Sequence, residues 1–492
     1  MMRVRTNKWS YEVDFHYDKC IGCLRCVKTC PVDALEARIK GPYPTPYPAH
    51  EERCVGCRQC QEICPTGAVL VRPAEPEEFT RGIWTFDTID DIRERAKSGK
   101  ALIRGSGTNR RVPTLDELLI LPAQLTFSPR DVYREKCETK TVIGGKSKLV
   151  KNPLVLDVPV IIGAMSYGAI SPEAKVALAK ATQIVHISTH TGEGGLYPKE
   201  REEAYKLIVQ YSTGRFGVSV DYLRAADMVE IKIGQGAKPG MGGHLLAEKV
   251  TEDIAKIRGI PVGTDALSPA YHLDMVRPGD LAKHIEIIRD ITDFQVPVGV
   301  KLGPGRVRED VRLAAEAGAD AIWVDGMEGG TGAAPLAVMG HAGIPTIACI
   351  SQAVLSLEEL GLKDKVSLII SGGIRTGADV AKALALGADA VGIATAFLVA
   401  LGCANCQQCA KGTCPRGIAT QDPVLRARFN IEEKAMFAAN YVKSITHELA
   451  DLSMLAGKGN VHDLDKDDLR ALTVEAAMMT GVKMMGLEKT LP

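Results

Sequence analysis

The sequence predicts an α/β protein, a (β/α)8 TIM barrel behind a small N-terminal α+β domain. Three observations predict it. From Val158 onward, apolar runs of strand length alternate with helix-period segments eight times. The last two runs, Val366–Ile370 and Ala388–Val391, each end in a small-residue loop that opens a helix. Barrels often build a phosphate site from the loops after strands 7 and 8. Finally, twelve of the fourteen cysteines fall in three tight groups, two of them repeats near the start of the chain.

Length and composition bound the reading. At 492 residues the chain accommodates one small module and one barrel-sized domain. A hydrophobic content of 46% is ample for large cores, and the 60 basic and 60 acidic residues cancel. Nothing in that balance favours nucleic acid or a membrane surface. Met1–Ser10 is polar and basic without the apolar core of a signal segment. The clustered thiols are therefore expected to be metal ligands in a reducing cytoplasm rather than disulfides. The longest uncharged apolar run, Ala390–Cys406, contains glycines and polar residues and is short for a membrane span. It reads as a buried strand and helix.

Residues 1–75 form the first unit. Cys20, Cys23, Cys26 and Cys30 precede Pro31, and Cys54, Cys57, Cys60 and Cys64 precede Pro65, at two copies of one spacing. This is the bacterial two-cluster ferredoxin pattern, in which the last cysteine of each run ligates the other cluster. One 4Fe–4S cluster then takes Cys20, Cys23, Cys26 and Cys64. The other takes Cys54, Cys57, Cys60 and Cys30. A pair of zinc sites is the alternative, but zinc motifs rarely show this compact triple spacing. The stretch 41–50, GPYPTPYPAH, reads as a stiff connector between the halves.

Residues 76–150 read as a linker, from about 72 to 90, followed by a segment that wraps the next domain. Arg104-Gly105-Ser106-Gly107 reads as a plain turn rather than a phosphate loop. The barrel occupies 151–425, with strands near 158–163, 184–188, 216–220, 229–233, 297–301, 320–325, 367–371 and 389–393. Helices are expected over 172–182, 202–210, 250–258, 281–291, 308–317, 351–360 and 378–386. The long connection 259–280 is expected to cover the site. A C-terminal helical segment, 426–492, carries candidate amphipathic helices over 432–449 and 464–479.

Residues just after barrel strands face the site. They include Ala164-Met165-Ser166, the THTGEGG loop 189–195, Gly234–Lys238, Lys301, Asp325, Gly330, Gly332, Gly372, Gly373, Gly392 and Thr395. Glycine lets the main chain approach a flat ring system closely. Lys301, at a strand end, is placed to stabilise negative charge on a reduced flavin, with a rim salt bridge as its alternative. Lys238 suits a carboxylate substrate, with a solvated loop lysine as its alternative. About seven residues beyond Thr395 begin Cys403, Cys406, Cys409 and Cys414. At a 1.5 Å rise per residue, the intervening helix spans only about 10 Å. A cysteine-ligated centre beside a phosphate-bearing cofactor suggests electron transfer between a flavin and an iron–sulfur cluster. The six histidines of the barrel half show no metal spacing, and Cys137 and Cys349 read as buried thiols.

In order along the chain, GAMSYGAIS (163–171), THTGEGG (189–195), GRFGV (214–218), IGQGAKPG (233–240), GGTGAAP (329–335), SGGIRTGADVAKALALGADAVGIATA (371–396) and CPRGIATQ (414–421) resemble the FMN-binding synthase domain of glutamate synthases. With the cysteine module in front, the chain resembles the archaeal-type large subunit. The resemblance implies an FMN-binding barrel that reduces the imine of 2-oxoglutarate and ammonia to L-glutamate, with iron–sulfur clusters feeding the flavin. It places Ala164, Ser166, Lys301, Asp325, Gly330, Gly332, Gly372, Gly373, Gly392 and Thr395 around FMN. It gives Ser166, Gln235, Lys238 and Arg258 to the substrate, with Lys301, Lys238 and Gln235 as the catalytic set. Two cations suit a dicarboxylate through charge-assisted hydrogen bonds.

The family's 3Fe–4S spacing selects Cys403, Cys409 and Cys414. Cys406 is additional, and a fourth thiolate would complete a 4Fe–4S cluster, so both types stay open. The loop after Lys238 departs from the bacterial pattern, with Met241 replacing a carboxylate and His244 an amide. With no amidotransferase segment in front, ammonia is expected either free or from a separate glutamine amidotransferase subunit. Electrons are expected from ferredoxin or an NAD(P)H-oxidising subunit, since no dinucleotide fingerprint occurs. A cytoplasmic oligomer is expected. Two further functions fit the motifs. One is an FMN-dependent amino-group transferase related to methylamine–glutamate N-methyltransferase. The other is an electron-transfer subunit with a relay barrel.

Overall fold

The computed structural model describes residues 11–39, 44–73 and 86–487. The polar start of the chain and most of the expected linker, 74–85, lie outside the described residues, as do 40–43 of the Pro-rich connector.

In the N-terminal module, strands Tyr11–Phe15 and Val69–Pro73 pair antiparallel. Short helices Arg25–Thr29 and Gln59–Glu62 lie within the two cysteine runs, carrying Cys26 and Cys60. The sequence repeat is also a backbone repeat. Gly22 and Gly56 have φ of 69° and 66°, and Leu24 and Arg58 have φ of 53° and 58°. Each tight cysteine loop needs these left-handed residues to double back. Val13, Leu35, Val69 and Val71 form a small core with Cys26 and Cys60. Pro44–Tyr47 is a strand paired with Glu36–Ile39, so the connector is more ordered than a spacer.

Eight parallel strands close a barrel: β1 (Val160–Ile162), β2 (Ser188–His190), β3 (Lys206–Tyr211), β4 (Met228–Lys232), β5 (Val298–Leu302), β6 (Ala321–Asp325), β7 (Ser367–Ser371) and β8 (Ala390–Ile393). The seam from β8 to β1 is sealed by Val391↔Val160, Gly392↔Ile161 and Ile393↔Ile162. Two strands differ from expectation. Residues 184–188 mostly end the helix Pro172–Val185, and β2 begins at Ser188. Residues 202–210, expected helical, hold the end of a short helix and then β3, whose Leu207, Ile208 and Val209 are fully buried. The run 216–220 is instead a turn leading into the helix Val220–Arg224.

The segment expected to wrap the barrel also plugs it. Strands Thr141–Ile143 and Leu154–Leu156 form a hairpin. Its Ile143, Leu154 and Leu156 pack on Ile161, Met228 and Ala321 at the N-terminal mouth. Gly144 N–H donates to Ser367 Oγ at 3.1 Å. Residues 464–479 are not one helix. Leu469–Ala471 pairs with Leu118–Ile120, and a helix runs only over Val474–Thr480, capped by Thr473 Oγ1, which accepts from Ala476 N–H. The long helix Ile431–Leu455, capped by Asn430, lies on the barrel and buries Ala435, Ala438, Ala439 and Val442. Among the described residues no helix is long and apolar enough to cross a membrane.

Candidate active site

The loops at the C-terminal ends of the strands form two adjoining zones. The first lies over β5 to β8. Gly372 and Gly373 follow β7 with φ of 106° and 74°. A Cβ on Gly372 would sit 2.6 Å from Thr346 Oγ1, and one on Gly392 only 2.0 Å from the Trp323 ring. Trp323 Nε1–H donates to Ser371 Oγ at 2.7 Å, and Ser371 donates to Asp325 Oδ1 at 2.6 Å. Asp325 Oδ2 accepts from Gly236 N–H at 2.7 Å, which ties this zone to the loop after β4. Gly330 faces Thr395, since a Cβ on Gly330 would meet its Oγ1 at 2.5 Å.

Lys301 ends β5, is 5% exposed and holds its Nζ 4.6 Å from the Trp323 ring centroid. Beneath it lie His190 and Glu230, with His190 Nε2 3.2 Å from Glu230 Oε1. Burial lowers the His190 pKa and favours its neutral form. Lys301 is then the cation that compensates the Glu230 carboxylate, with Gln210 Nε2 donating to it at 2.6 Å.

The second zone lies over β1 to β4 and centres on Glu193, a residue the sequence pattern did not single out beyond its place in THTGEGG. Lys232 Nζ donates to Glu193 Oε2 at 3.0 Å and to Gln235 Oε1 at 2.8 Å. Gly243 presses on the carboxylate, since a Cβ there would lie 2.2 Å from Oε1. Burial raises the Glu193 pKa, but Lys232, Lys238 and Arg258 together bring it below the usual carboxylate range. Three cations less one carboxylate leave two positive charges in the pocket. Lys238 is 3% exposed and donates to Ala333 O at 3.3 Å, and burial pulls its pKa down to about 8. Arg258 Nη2 donates to Tyr167 O at 3.0 Å and lies 3.4 Å from Ser166 Oγ. Its Nε is buried without a hydrogen-bond partner among the described residues.

The expected residues are thus brought together, with Ala164 beside the β8 loop through Gly163 N–H to Ile393 O at 2.7 Å. The two departures from the family loop sit on its outer side. Met241 is 42% exposed, and His244 turns to Asp265 at 3.9 Å. His244–Leu245 pairs with Ala266–Leu267, so the connection 259–280 does return over the pocket.

The cysteines fall in three groups, two of which line cavities. One cavity is lined by Cys20, Cys23, Cys26 and Cys64. A second is lined by Cys30, Cys54, Cys57 and Cys60. In the third group, burial first and the neighbouring thiols after it push Cys406 and Cys409 up to about 12. Thiols crowded in this way suit iron, which takes them as thiolates. Among the described residues no three side chains are placed to hold a single metal ion. Cys409 lies against Gly105 and Gly332, where added Cβ atoms would meet it at 2.8 and 3.2 Å. The Arg104–Gly107 turn, with Ser106 O accepting from Thr331 N–H at 2.9 Å, therefore wedges between the cysteine loop and the flavin-type zone. Cys349 is fully buried and Cys137 half-buried.

Residues 106–459 match a conserved region in glutamate synthase, and residues 19–68 match a 4Fe-4S dicluster domain. A glutamate synthase large subunit-like protein of Rhizobium meliloti is 43% identical over 420 residues, 82% of this chain and 95% of that one. An archaeal-type glutamate synthase [NADPH] of a Thermotoga species is 43% identical over 459 residues, 90% of this chain and 83% of the relative. The archaeal glutamate synthase [NADPH] of Archaeoglobus fulgidus is 38% identical over 463 residues, 90% of this chain and 83% of the relative. Sharing both the synthase region and the dicluster segment, and aligned over most of its length with these relatives, the chain belongs to the glutamate synthase family, on its archaeal-type branch.

Proposed function

We propose that this chain is the flavin and iron–sulfur subunit of a glutamate synthase, which reduces the imine of 2-oxoglutarate and ammonia to L-glutamate. The observation that carries it is the charge of the second zone. Its surplus of two cations over Glu193 complements a dicarboxylate, and an electron relay needs no such pocket. Lys238 and Arg258 would take the two carboxylates, with Ser166 and Gln235 orienting the carbon that reacts. Glu193, paired with Lys232, would offer a carboxylate acceptor to hydrogen-bond and hold an incoming ammonium ion.

FMN held by the glycine loops of β6 to β8 would supply the hydride, and the clusters would supply its electrons. Lys301 would face the anionic edge of the reduced ring, with the Glu230 carboxylate as its counter-charge. The cavities described above support two clusters with exchanged fourth ligands. The mutual crowding of Cys403, Cys406, Cys409 and Cys414 supports four thiolates, and hence a 4Fe–4S type, in the third. The NADPH in the relatives' names supports a partner that oxidises NADPH, with reduced ferredoxin as the other donor class. Ammonia would come free or from a glutaminase subunit.

The test is anaerobic titration of the holoprotein with 2-oxoglutarate, followed in the flavin spectrum. Saturable perturbation by 2-oxoglutarate and none by pyruvate is expected. Equal response to both acids, or to neither, overturns the dicarboxylate reading. The exposed position of Met241 and the half-buried position of His244 against Asp265 give the transferase alternative no specific support.

A further inference from the structure

Arg416 lies two residues beyond Cys414 and has no part in the roles above. It sits on the seam between the N-terminal module and the barrel, yet its side chain is only 10% exposed. Nε–H donates to Gly402 O at 2.7 Å, immediately before Cys403. Nη1 donates to Cys57 O at 3.4 Å. Nη2 donates to both carboxylate oxygens of Glu62, at 3.0 and 2.8 Å. One guanidinium thus grips the backbone of a cysteine loop on each side of the seam. Gly402 permits this, because a Cβ there would sit 2.8 Å from Nη2.

Two further contacts cross the same seam. Gln59 Nε2 donates to Pro415 O at 2.6 Å, and Arg428 Nη1 reaches Thr29 O at 3.2 Å. The Tyr11 ring rests on Gly56, where an added Cβ would strike it at 2.3 Å. The Tyr11 hydroxyl feels burial first, then Cys406 and Cys54. The second cavity of the module therefore faces the barrel's cysteine loop. The first faces away, with Cys23 exposed and Ile21 61% exposed.

We propose that Arg416 is a positioning residue for electron transfer, clamping the Cys57 loop onto the Cys403–Cys414 loop and placing a fixed cation between the two centres. This rests on the cluster assignments above. Each transfer moves one electron from the reduced Cys30, Cys54, Cys57 and Cys60 centre to the oxidised barrel centre. No bond forms or breaks, and two such transfers supply the electron pair that FMN takes up from a one-electron iron–sulfur donor. Arginine suits the post. It stays charged at any working pH, sheds water more readily than an ammonium, and offers a planar fork that contacts three groups at once.

The test is anaerobic stopped-flow reduction of the holoprotein by reduced ferredoxin, with iron–sulfur and flavin bleaching followed separately. Arg416→Gln should leave the early bleaching of the N-terminal clusters unchanged and slow flavin bleaching about tenfold, equivalent to about 1.4 kcal/mol. Magnetic interaction between neighbouring reduced clusters, read by electron paramagnetic resonance, should weaken in parallel. Arg416→Gln with full iron content and normal flavin bleaching overturns the proposal. Should Arg416→Gln lose iron, Glu62→Lys decides. Glu62, between Cys60 and Cys64, is not itself a cluster ligand and its side chain is 59% exposed, and a lysine there repels Arg416. Slowed flavin bleaching in Glu62→Lys supports the clamp, and a normal rate overturns it. Neither readout requires glutamate to form, so a protein that bleaches its flavin but makes no glutamate would overturn the proposed function and leave the clamp standing.

Discussion

Lys238 offers the sharpest perturbation of the pocket. Its Nζ donates to the Ala333 carbonyl at 3.3 Å, so Lys238→Met removes one charge and one weak hydrogen bond from the pocket. A hydrogen bond to a charged group contributes about 1.5–3 kcal/mol, so the Kd for 2-oxoglutarate should rise roughly 10- to 150-fold. The same residue adds a pH signature. Burial pulls its pKa down to about 8 in the free protein. Below pH 8 the lysine is charged and binds the dianion. Above it, the free protein must take up a proton to bind, and Kd should rise about tenfold per pH unit until the pKa of the complex is reached. The assay is anaerobic titration of the flavin spectrum from pH 6.5 to 10, roughly the range spanning both pKa values. Wild type should be flat and then rise, whereas Lys238→Met should start weak and stay flat through that region. A Lys238→Met variant with wild-type Kd, or one that keeps the alkaline rise, refutes the placement of Lys238 on the substrate.

Three other perturbations probe different layers. Lys175 and Glu200 are buried as an ion pair beneath β2, Nζ to Oε1 at 2.5 Å. Lys175→Met strands the carboxylate and should cost about 3–5 kcal/mol of stability in urea unfolding, and Lys175→Met with Glu200→Gln should recover much of it. A Cβ on Gly392 would fall 2.0 Å from the Trp323 ring. Gly392→Ala should therefore lower flavin content and destabilise by about 1–3 kcal/mol, read from absorbance and thermal melting. Cys406→Ala should convert the third cluster to a 3Fe–4S type that is paramagnetic when oxidised. An identical oxidised spectrum in wild type and variant would show that Cys406 is not a ligand.

The parts of the fold carried by local spacing were legible in the sequence. The cysteine repeats encode their own loop geometry, and the glycine loops after β7 and β8 announce themselves by position. β3 was not legible, because Leu207–Val209 is a short apolar run preceded by the helix-forming EREEAYK, and short runs do not separate strand from helix. Its neighbour FGVSV reads as a strand by composition yet forms a turn, with Arg215 at φ 52° and Gly217 at φ 65° starting it. The hairpin plug at the barrel mouth depends on contacts far along the chain, which no local pattern reports. The anion pocket shows the same limit. Lys238 and Arg258 stood out through the family motifs, but Glu193 and Lys232 acquire a role only when the loop after β2 reaches the end of β4, with β3 between the two strands. The Arg104–Gly107 turn was legible as a turn, not as the wedge beneath Cys409.

The most direct measurement is glutamate formation by the purified holoprotein under argon, supplied with reduced ferredoxin, 2-oxoglutarate and isotope-labelled ammonium. Labelled L-glutamate should accumulate over many turnovers per FMN, and its yield should fall when 2-oxoglutarate is omitted. Flavin and clusters that are fully reduced yet persist in the presence of both substrates, with no labelled glutamate, would contradict the synthase assignment.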